Sequence, residues 1–348
     1  MGNLFAYSGI TTKIRAMQSR LLKKENYQDL CNLRSVYEAD AYLRRCPTYE
    51  KLFISVGTED LHRTELEGLL HYSLYEDYGK LYGFSNLRQR KFLDLYFLNY
   101  EISALKTCLR SVFSDTHLFY DVSLFKPFFD KHSKFDIEAA AHANSMADFL
   151  SCLKDSEYYK VFSEVERTGN ATLFDYENHL DLYYFRKSWS NLKKYLKSDE
   201  QKEVLLSFGS RLDMLNIQWI YRSKKYYSLS SAEVYGLLIP ITYKLRTEQL
   251  KALVEAESLD LFFSALRETR YKTMEEYWAR DNISLEDSFR LILDKIYKRQ
   301  SQKDPYSIAT LNAYLCNKEQ EVENITTAIE GIRYHLDPDI ILQQINQL

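Results

Sequence analysis

The sequence predicts an all-α protein assembled from three related helical segments. Ten Gly and five Pro in 348 residues are too few for turn-dense β architectures or for long structureless loops. Apolar residues recur at helical spacing over long stretches, and two signatures return in the same order about every 110 residues. The length also exceeds what one small core usually serves, so two or three packing units are expected.

Along the chain, the first helix centres on Ile14, Met17 and Leu21 and carries Lys13, Arg15, Arg20, Lys23 and Lys24, one of the denser basic stretches. Ala39 to Tyr49 is a faint copy of a pattern written more fully at Ala143, Ser145, Phe149, Leu153 and Tyr158. The same pattern returns at Ala256, Ser258, Phe262, Leu266 and Tyr271, every pair offset by 113 residues. Leu95, Leu98, Ile102, Leu105, Leu109 and Val112 step by three and four and predict a long helix. A second signature matches Asn216-Ile217, Lys225-Tyr226 and Leu229 with Asn324-Ile325, Arg333-Tyr334 and Leu336, the asparagines 108 apart. Phe97 to Arg110 supplies its weakest copy, with Asn99 in the asparagine position. Ser230 to Glu233 reads as a capping box. Val322, Ile325, Ile329 and Ile332 mark another long helix, and Asp337-Pro338 opens the last one with a cap and a proline at the first helical position. Common solenoid repeats run about 20–50 residues. The longer period here implies subdomains, placed at 1–125, 126–235 and 236–348.

Lys and Arg total 46 against 49 Asp and Glu, a formal net charge of −3, so no overall field draws the chain to nucleic acid or anionic lipid. Five scattered cysteines with no C-x-x-C pair suit buried free thiols in a reducing compartment. The opening residues match no targeting pattern. The longest strongly apolar uncharged stretch, Val234 to Tyr243, is about half of the ~20 residues a spanning helix needs and contains Pro240. Membrane association is therefore expected to be peripheral.

No pattern for chemistry emerges. Neither G-x-x-x-x-G-K-[ST] nor G-x-G-x-x-G occurs, so no cradle of backbone N–H groups is available to nucleotide phosphates. Glu59 and His62 form the single E-x-x-H, whereas a di-metal carboxylate bundle needs two plus further glutamates. Glu67 with His71, and Glu138 with His142, read as solvated helix-face residues. There is no D-D-x-x-D and no G-x-S-x-G, and Ser114, Asp115 and His117 lie too close together to form a triad. Cys108 and Cys152 fall in apolar helical periodicity and read as core thiols. The 29 Tyr and 19 Phe, clustered at Tyr158-Tyr159, Tyr183-Tyr184-Phe185 and Tyr226-Tyr227, read as packing rather than base stacking in the absence of a basic excess.

Ala313-Tyr314-Leu315, Lys318-Glu319, Glu321-Val322 and Asn324-Ile325, continuing to Gly331-Ile332-Arg333-Tyr334, resemble the C-terminal signature of the C subunit of V-type ATPases, the family of the eukaryotic d subunit. Asp213 to Ile217 with Arg222 and Lys225 resembles its middle copy, and Tyr7 through Arg15 to Leu22 its first helix. The resemblance spans essentially the whole chain. It weakens in the first copy, where Tyr100 follows Asn99 and Cys108-Leu109 replace the basic-aromatic pair, and it does not account for the wealth of Tyr and Phe.

The resemblance implies three helical subdomains arranged as a funnel on the cytoplasmic face of a membrane ring of proteolipid subunits. The funnel would receive the foot of the central stalk. The implied role is that of a non-catalytic coupler in ATP-driven proton or sodium transport, with no cofactor, metal or catalytic residue. Polar contacts to stalk or ring are expected from Arg15, Arg222, Lys224, Lys225, Lys318, Glu321 and Arg333. Lys318 and Glu321, three apart on one helical face, could instead form a local ion pair. The competing readings are a helical scaffold unrelated to rotary ATPases and an all-helical enzyme with a dispersed site. The isolated chain is expected to be a helical monomer, soluble without detergent, that binds no ATP. Calorimetry should detect no specific site tighter than about 1 mM, equivalent to about 4 kcal/mol, and a tighter one would contradict the missing cradle.

Overall fold

The computed structural model describes residues 2–54, 57, 61–114, 122–167, 169, 171–196, 198–276 and 284–346. It is all-α, with no β-strand among those residues. Four helices lead, α1 (Gly2–Gln18), α2 (Lys24–Cys31), α3 (Val36–Arg45) and α4 (Glu50–Ile54). A long pair follows, α5 (Arg63–Phe84) and α6 (Leu87–Phe113), then short α7 (Lys126–His132), α8 (Ile137–Ala141), α9 (Met146–Cys152) and α10 (Glu157–Glu166). The second long pair is α11 (Leu173–Tyr195) and α12 (Ser198–Arg222), with α13 (Ser231–Leu237), α14 (Thr247–Glu255) and α15 (Leu259–Arg267) behind it. The third pair, α16 (Leu285–Lys303) and α17 (Ile308–Arg333), is followed by α18 (Pro338–Asn346).

Four of the six long helices start at a side-chain cap written into the sequence. Asn86 accepts from the N–H groups of Arg88 and Gln89, Thr172 from Asp175, Ser284 from Asp287 and Ser307 from Ala309. Each such cap contributes about 1 kcal/mol. The long helices also touch in a closed cycle: α5 on α6, α6 on α11, α11 on α12, α12 on α16, α16 on α17, and α17 back on α5.

The first signature has a physical meaning. Ser35, Ser145 and Ser258 are the N-caps of α3, α9 and α15, each in extended conformation and each accepting from an N–H three residues on. Four and eight residues after the serine, Ala39 and Leu43, Phe149 and Leu153, and Phe262 and Leu266 are buried. The motif ends in a tyrosine whose hydroxyl donates to a buried carboxylate at mid-helix. Tyr158 donates to Glu101 of α6, Tyr271 to Asp213 of α12 at 2.6 Å, and Tyr49 to Glu321 of α17 at 2.7 Å.

Each carboxylate holds the intervening loop as well. Glu101 accepts from the Ser133 hydroxyl at 2.5 Å, and Glu321 from the Leu22 N–H at 2.5 Å. Asp213 accepts from the N–H groups of Tyr243, Lys244 and Leu245 at 2.8, 2.6 and 3.0 Å. The second and third motifs are thus fastened to the long helix that precedes them. The first has no preceding partner, and it takes the last long helix in the chain.

This geometry corrects the register expected for the weakest copy. Glu101, Asp213 and Glu321 are equivalent, so Ala104, and not Asn99, stands where Asn216 and Asn324 stand. Leu105, Ile217 and Ile325 then coincide, all fully buried. The substitution has a local consequence. Asn216 exchanges two hydrogen bonds with the Ile239 backbone, at 2.9 and 3.0 Å, and so supports the apolar stretch through Pro240.

The two later long helices end alike. Ser228 and His335 adopt left-handed φ of 48° and 53°, and Ser230 and Asp337 then cap the next helix as expected. One residue more separates Asn216 from Leu229 than Asn324 from Leu336, and a π turn over Ser223–Tyr227 absorbs it. Gly331 lets α18 close in: a Cβ there would lie 2.6 Å from Ile341 Cγ1. Much of the aromatic content packs between α5, α6 and α7. Tyr75 stacks on Phe128 at 4.8 Å and meets Phe125, Phe129 and Tyr100 edge-on.

Asp213→Ala strands four donors and is expected to cost about 3 kcal/mol or more, whereas Tyr271→Phe removes one hydrogen bond and should cost about 1–2 kcal/mol. Urea denaturation measures both, and a loss below about 1 kcal/mol for Asp213→Ala would contradict the role given to this carboxylate.

Candidate functional site: a polar interior among the long helices

The six long helices do not meet in a purely apolar seam. Tyr96, Asn99 and Tyr100 of α6, Tyr184 of α11, Arg211 of α12, Tyr297 of α16 and Asn312 and Glu319 of α17 line connected space, joined by His71 of α5. Three cavities share Glu319. One is enclosed and about 30 Å³, room for a single water, and the other two are open, of about 330 and 360 Å³. The Tyr96 hydroxyl donates to Asn312 Oδ1 at 2.7 Å and lies 3.2 Å from Cys316 Sγ, while Asn312 Nδ2 donates to Ser207 Oγ at 3.2 Å.

Two polar atoms here are shielded from solvent without a well-formed hydrogen bond, Glu319 Oε1 and the Tyr100 hydroxyl, although the two groups lie close enough to feel each other. Burial pushes the Glu319 carboxyl up to about 7, against the pull of the Arg211 guanidinium. Burial likewise raises the Tyr96, Tyr100 and Tyr297 hydroxyls and lifts the Cys316 thiol to about 11. A lining that combines tyrosine hydroxyls, an arginine and a carboxyl raised by burial can both donate and accept hydrogen bonds. Among the described residues it pairs no nucleophile with a base.

The residues expected to meet partners fall into three groups. Lys318 and Glu321 are buried and paired with each other at 2.7 Å, and Lys318 Nζ also donates to Tyr49 at 2.9 Å, over whose ring it sits. Neither reaches the surface of this structure. Lys224 Nζ donates to the carbonyls of Val254 and Ala256 at 2.7 and 2.5 Å, a cation closing the C-terminal end of α14. Arg15, Arg222, Lys225 and Arg333 are exposed. Arg222 borders a groove with Phe174, Trp219, Tyr227 and Leu237; Lys225 lies over the Tyr226 ring, Arg333 over Tyr334, and Arg15 over Tyr306.

Other pairings the sequence raised do not converge. The His142 ring meets the Glu138 backbone carbonyl, and the Glu67 carboxylate meets Arg63. Glu59, Asp115 and His117 lie outside the described residues. Cys108 is buried, its thiol pushed up to about 12, and Cys152 is half-buried. Tyr158 and Tyr184 are core residues as expected, but Tyr226 and Tyr227 are 59% and 63% exposed at the end of α12, where packing does not explain them. Among the described residues no cluster of His, Cys, Asp or Glu is suited to a metal, and no helix is long and apolar enough to cross a membrane.

Sequence reasoning passed over Arg211 and Glu319. At about 100° per residue Lys318, Glu319 and Glu321 span about 160°, an arc that an ordinary solvated face also covers, so local spacing does not mark Glu319 as interior.

Cyclic contact among three helix pairs and two signatures that each return three times define an all-helical repeat protein with a polar interior. The chain belongs to the ATP synthase (C/AC39) subunit family, whose profile matches residues 10–344. It is 23% identical to the C subunit of the A-type ATP synthase of Thermococcus kodakarensis, with 98% of this chain and 91% of that protein aligned. Identity is 24% to the corresponding protein of Methanocaldococcus jannaschii, over 97% and 86%, and 25% to that of Methanosarcina acetivorans, over 97% and 92%.

The raised Glu319 carboxyl fixes a sign. The folded chain holds a proton that the unfolded chain releases near pH 4.5, so stability contributed at low pH is lost as pH rises toward about 7. Glu319→Gln should remove that loss and gain about 1–2 kcal/mol over wild type at about pH 8, with little difference at about pH 4. Thermal melts across the range test it, and parallel profiles for the two proteins would contradict it.

Proposed function

We propose that this chain is a non-catalytic subunit of a V/A-type rotary ATPase that couples the central stalk to the membrane proteolipid ring. Family membership over nearly the full length carries the reading. The helical body and the exposed cations Arg222, Lys225 and Arg333 support it, since a coupler needs a stiff wall and polar contacts that resist non-specific collapse. The protein would sit peripherally on the cytoplasmic face of the membrane and conduct no chemistry of its own.

The three units are proposed to be the three long helix pairs with the short helices behind them. In that division residues 1–54 complete the unit of α16 and α17, a cyclic rearrangement of the divisions near 125 and 236. Stalk or ring contacts are assigned to Arg222 and Lys225 at the end of α12, Arg333 at the end of α17, and Arg15. Lys318, Glu321 and Lys224 are assigned to the fold.

Reversing Arg222, Lys225 and Arg333 to Glu should leave helicity unchanged and weaken binding to purified central-stalk proteins at least tenfold, about 1.4 kcal/mol, with a matching loss of ATP-driven ion pumping. A folded triple variant that binds and pumps normally would remove these residues from the interface. Failure of the wild-type chain to bind either the stalk or the ring would overturn the function itself.

A further inference from the structure

A second concave surface lies apart from the polar interior and shares none of its lining residues. It is a cleft of about 780 Å³ between α12 and α16, closed at one end by Lys244 and Arg270. Six cations line it, Lys202, Lys244, Arg270, Lys295, Arg299 and Lys303, against one carboxylate, Glu203, in a chain whose formal net charge is −3. One oxygen of Glu203 is buried without a partner, and burial raises its carboxyl. Among the described residues no ion pair engages Lys202, Arg270, Arg299 or Lys303.

Half of the cations form one row. Lys295, Arg299 and Lys303 recur every four residues along one face of α16, and Lys202, Leu206 and Ser210 face them at the same spacing along α12, a row with a single charge. Each row is about 12 Å long at about 1.5 Å per residue. Between them Leu206, Ile292 and Ile296 form a half-buried apolar floor. Gln300 ties the walls together by donating to the Glu203 carbonyl at 2.7 Å.

We propose that this cleft is a docking groove for an acidic amphipathic helix of a partner protein. Its apolar side would rest on Leu206, Ile292 and Ile296, and its Asp and Glu residues would meet the basic row of α16 on one flank and Lys202, Lys244 and Arg270 around the rest of the rim. An apolar floor between charged rims is the complement of such a helix, which anchors at positions i, i+3 or i+4 and i+7. A compact phosphate ligand would want cations converging on one point, and three of these six are strung along about 12 Å of α16. A bilayer is too flat for a concave surface. Nucleic acid would want free aromatic faces, but the lone tyrosine of the cleft, Tyr271, is buried and its hydroxyl is committed to Asp213.

A photo-crosslinking residue in place of Ile296, in the chain expressed in its own cells, tests the groove. The expected adduct, mapped by mass spectrometry, is a segment of another protein with helical periodicity and an excess of Asp and Glu. Adding Arg299→Glu and Lys303→Glu should cut its yield at least fivefold while circular dichroism stays unchanged. A peptide of the mapped segment should bind the purified chain, and its affinity should fall at least tenfold between about 0.05 and 0.5 M salt. Should the double variant misfold, Lys202→Gln with Arg299→Gln serves in its place, with the same direction expected. Adducts only to lipid, to nucleic acid, to a second copy of this chain or to a segment without acidic excess would overturn the proposal. So would no adduct above background, or a yield indifferent to the charge changes.

Discussion

Everything else in this fold hangs on a carboxylate buried halfway along a long helix and a tyrosine hydroxyl that reaches it from a motif far away in sequence. Burying a carboxylate is costly unless its lone pairs are used, and here each is used by the tyrosine and by a loop that must pass close by. Asp213 illustrates the principle, with three backbone N–H donors and one hydroxyl around its two oxygens. Glu321 adds a cation, Lys318, and the resulting buried pair is bridged by Tyr49. A packed apolar seam would tolerate several helix rotations. These carboxylates allow one.

The sequence revealed the helices, their caps and the period because those depend on local spacing. It concealed which unit each motif joins. Nothing near Tyr49 points to Glu321, 272 residues distant, and a lysine and a glutamate three apart are ordinarily a solvated pair, so the surface reading of Lys318 and Glu321 followed the commoner case. The weakest copy was misregistered for a related reason. Ala104 had lost the asparagine that marked the others, and Asn99 lay close enough to substitute for it in a pattern otherwise made of interchangeable apolar residues. The full resemblance to the family was nevertheless carried by residues such as Glu321 and Asn324, whose roles prove to be interior. The fold-determining polar core is thus more recognisable in sequence than any surface that meets a partner.

The interior around Glu319 stands in contrast to those satisfied carboxylates. Glu101, Asp213 and Glu321 have their donors, whereas Glu319 keeps an oxygen without a well-formed hydrogen bond beside a tyrosine hydroxyl in the same condition. In one protein the same chemical group therefore appears both as a rivet and as an open valence. Satisfied carboxylates hold the helix pairs in place, and the unsatisfied one borders a void with room for about one water.

The attachment of the first motif to the last long helix sets the order in which the molecule can be finished during synthesis. Tyr49 leaves the ribosome well ahead of Glu321, and at about 5–20 residues per second the interval is about 15–50 s. Throughout that time α2 and α3 lack the helix they pack on, while the second and third motifs meet their own helices as soon as they emerge. A chain halted before α17 would leave the Tyr49 hydroxyl without its carboxylate. The first motif is therefore fastened only after both later motifs have been made.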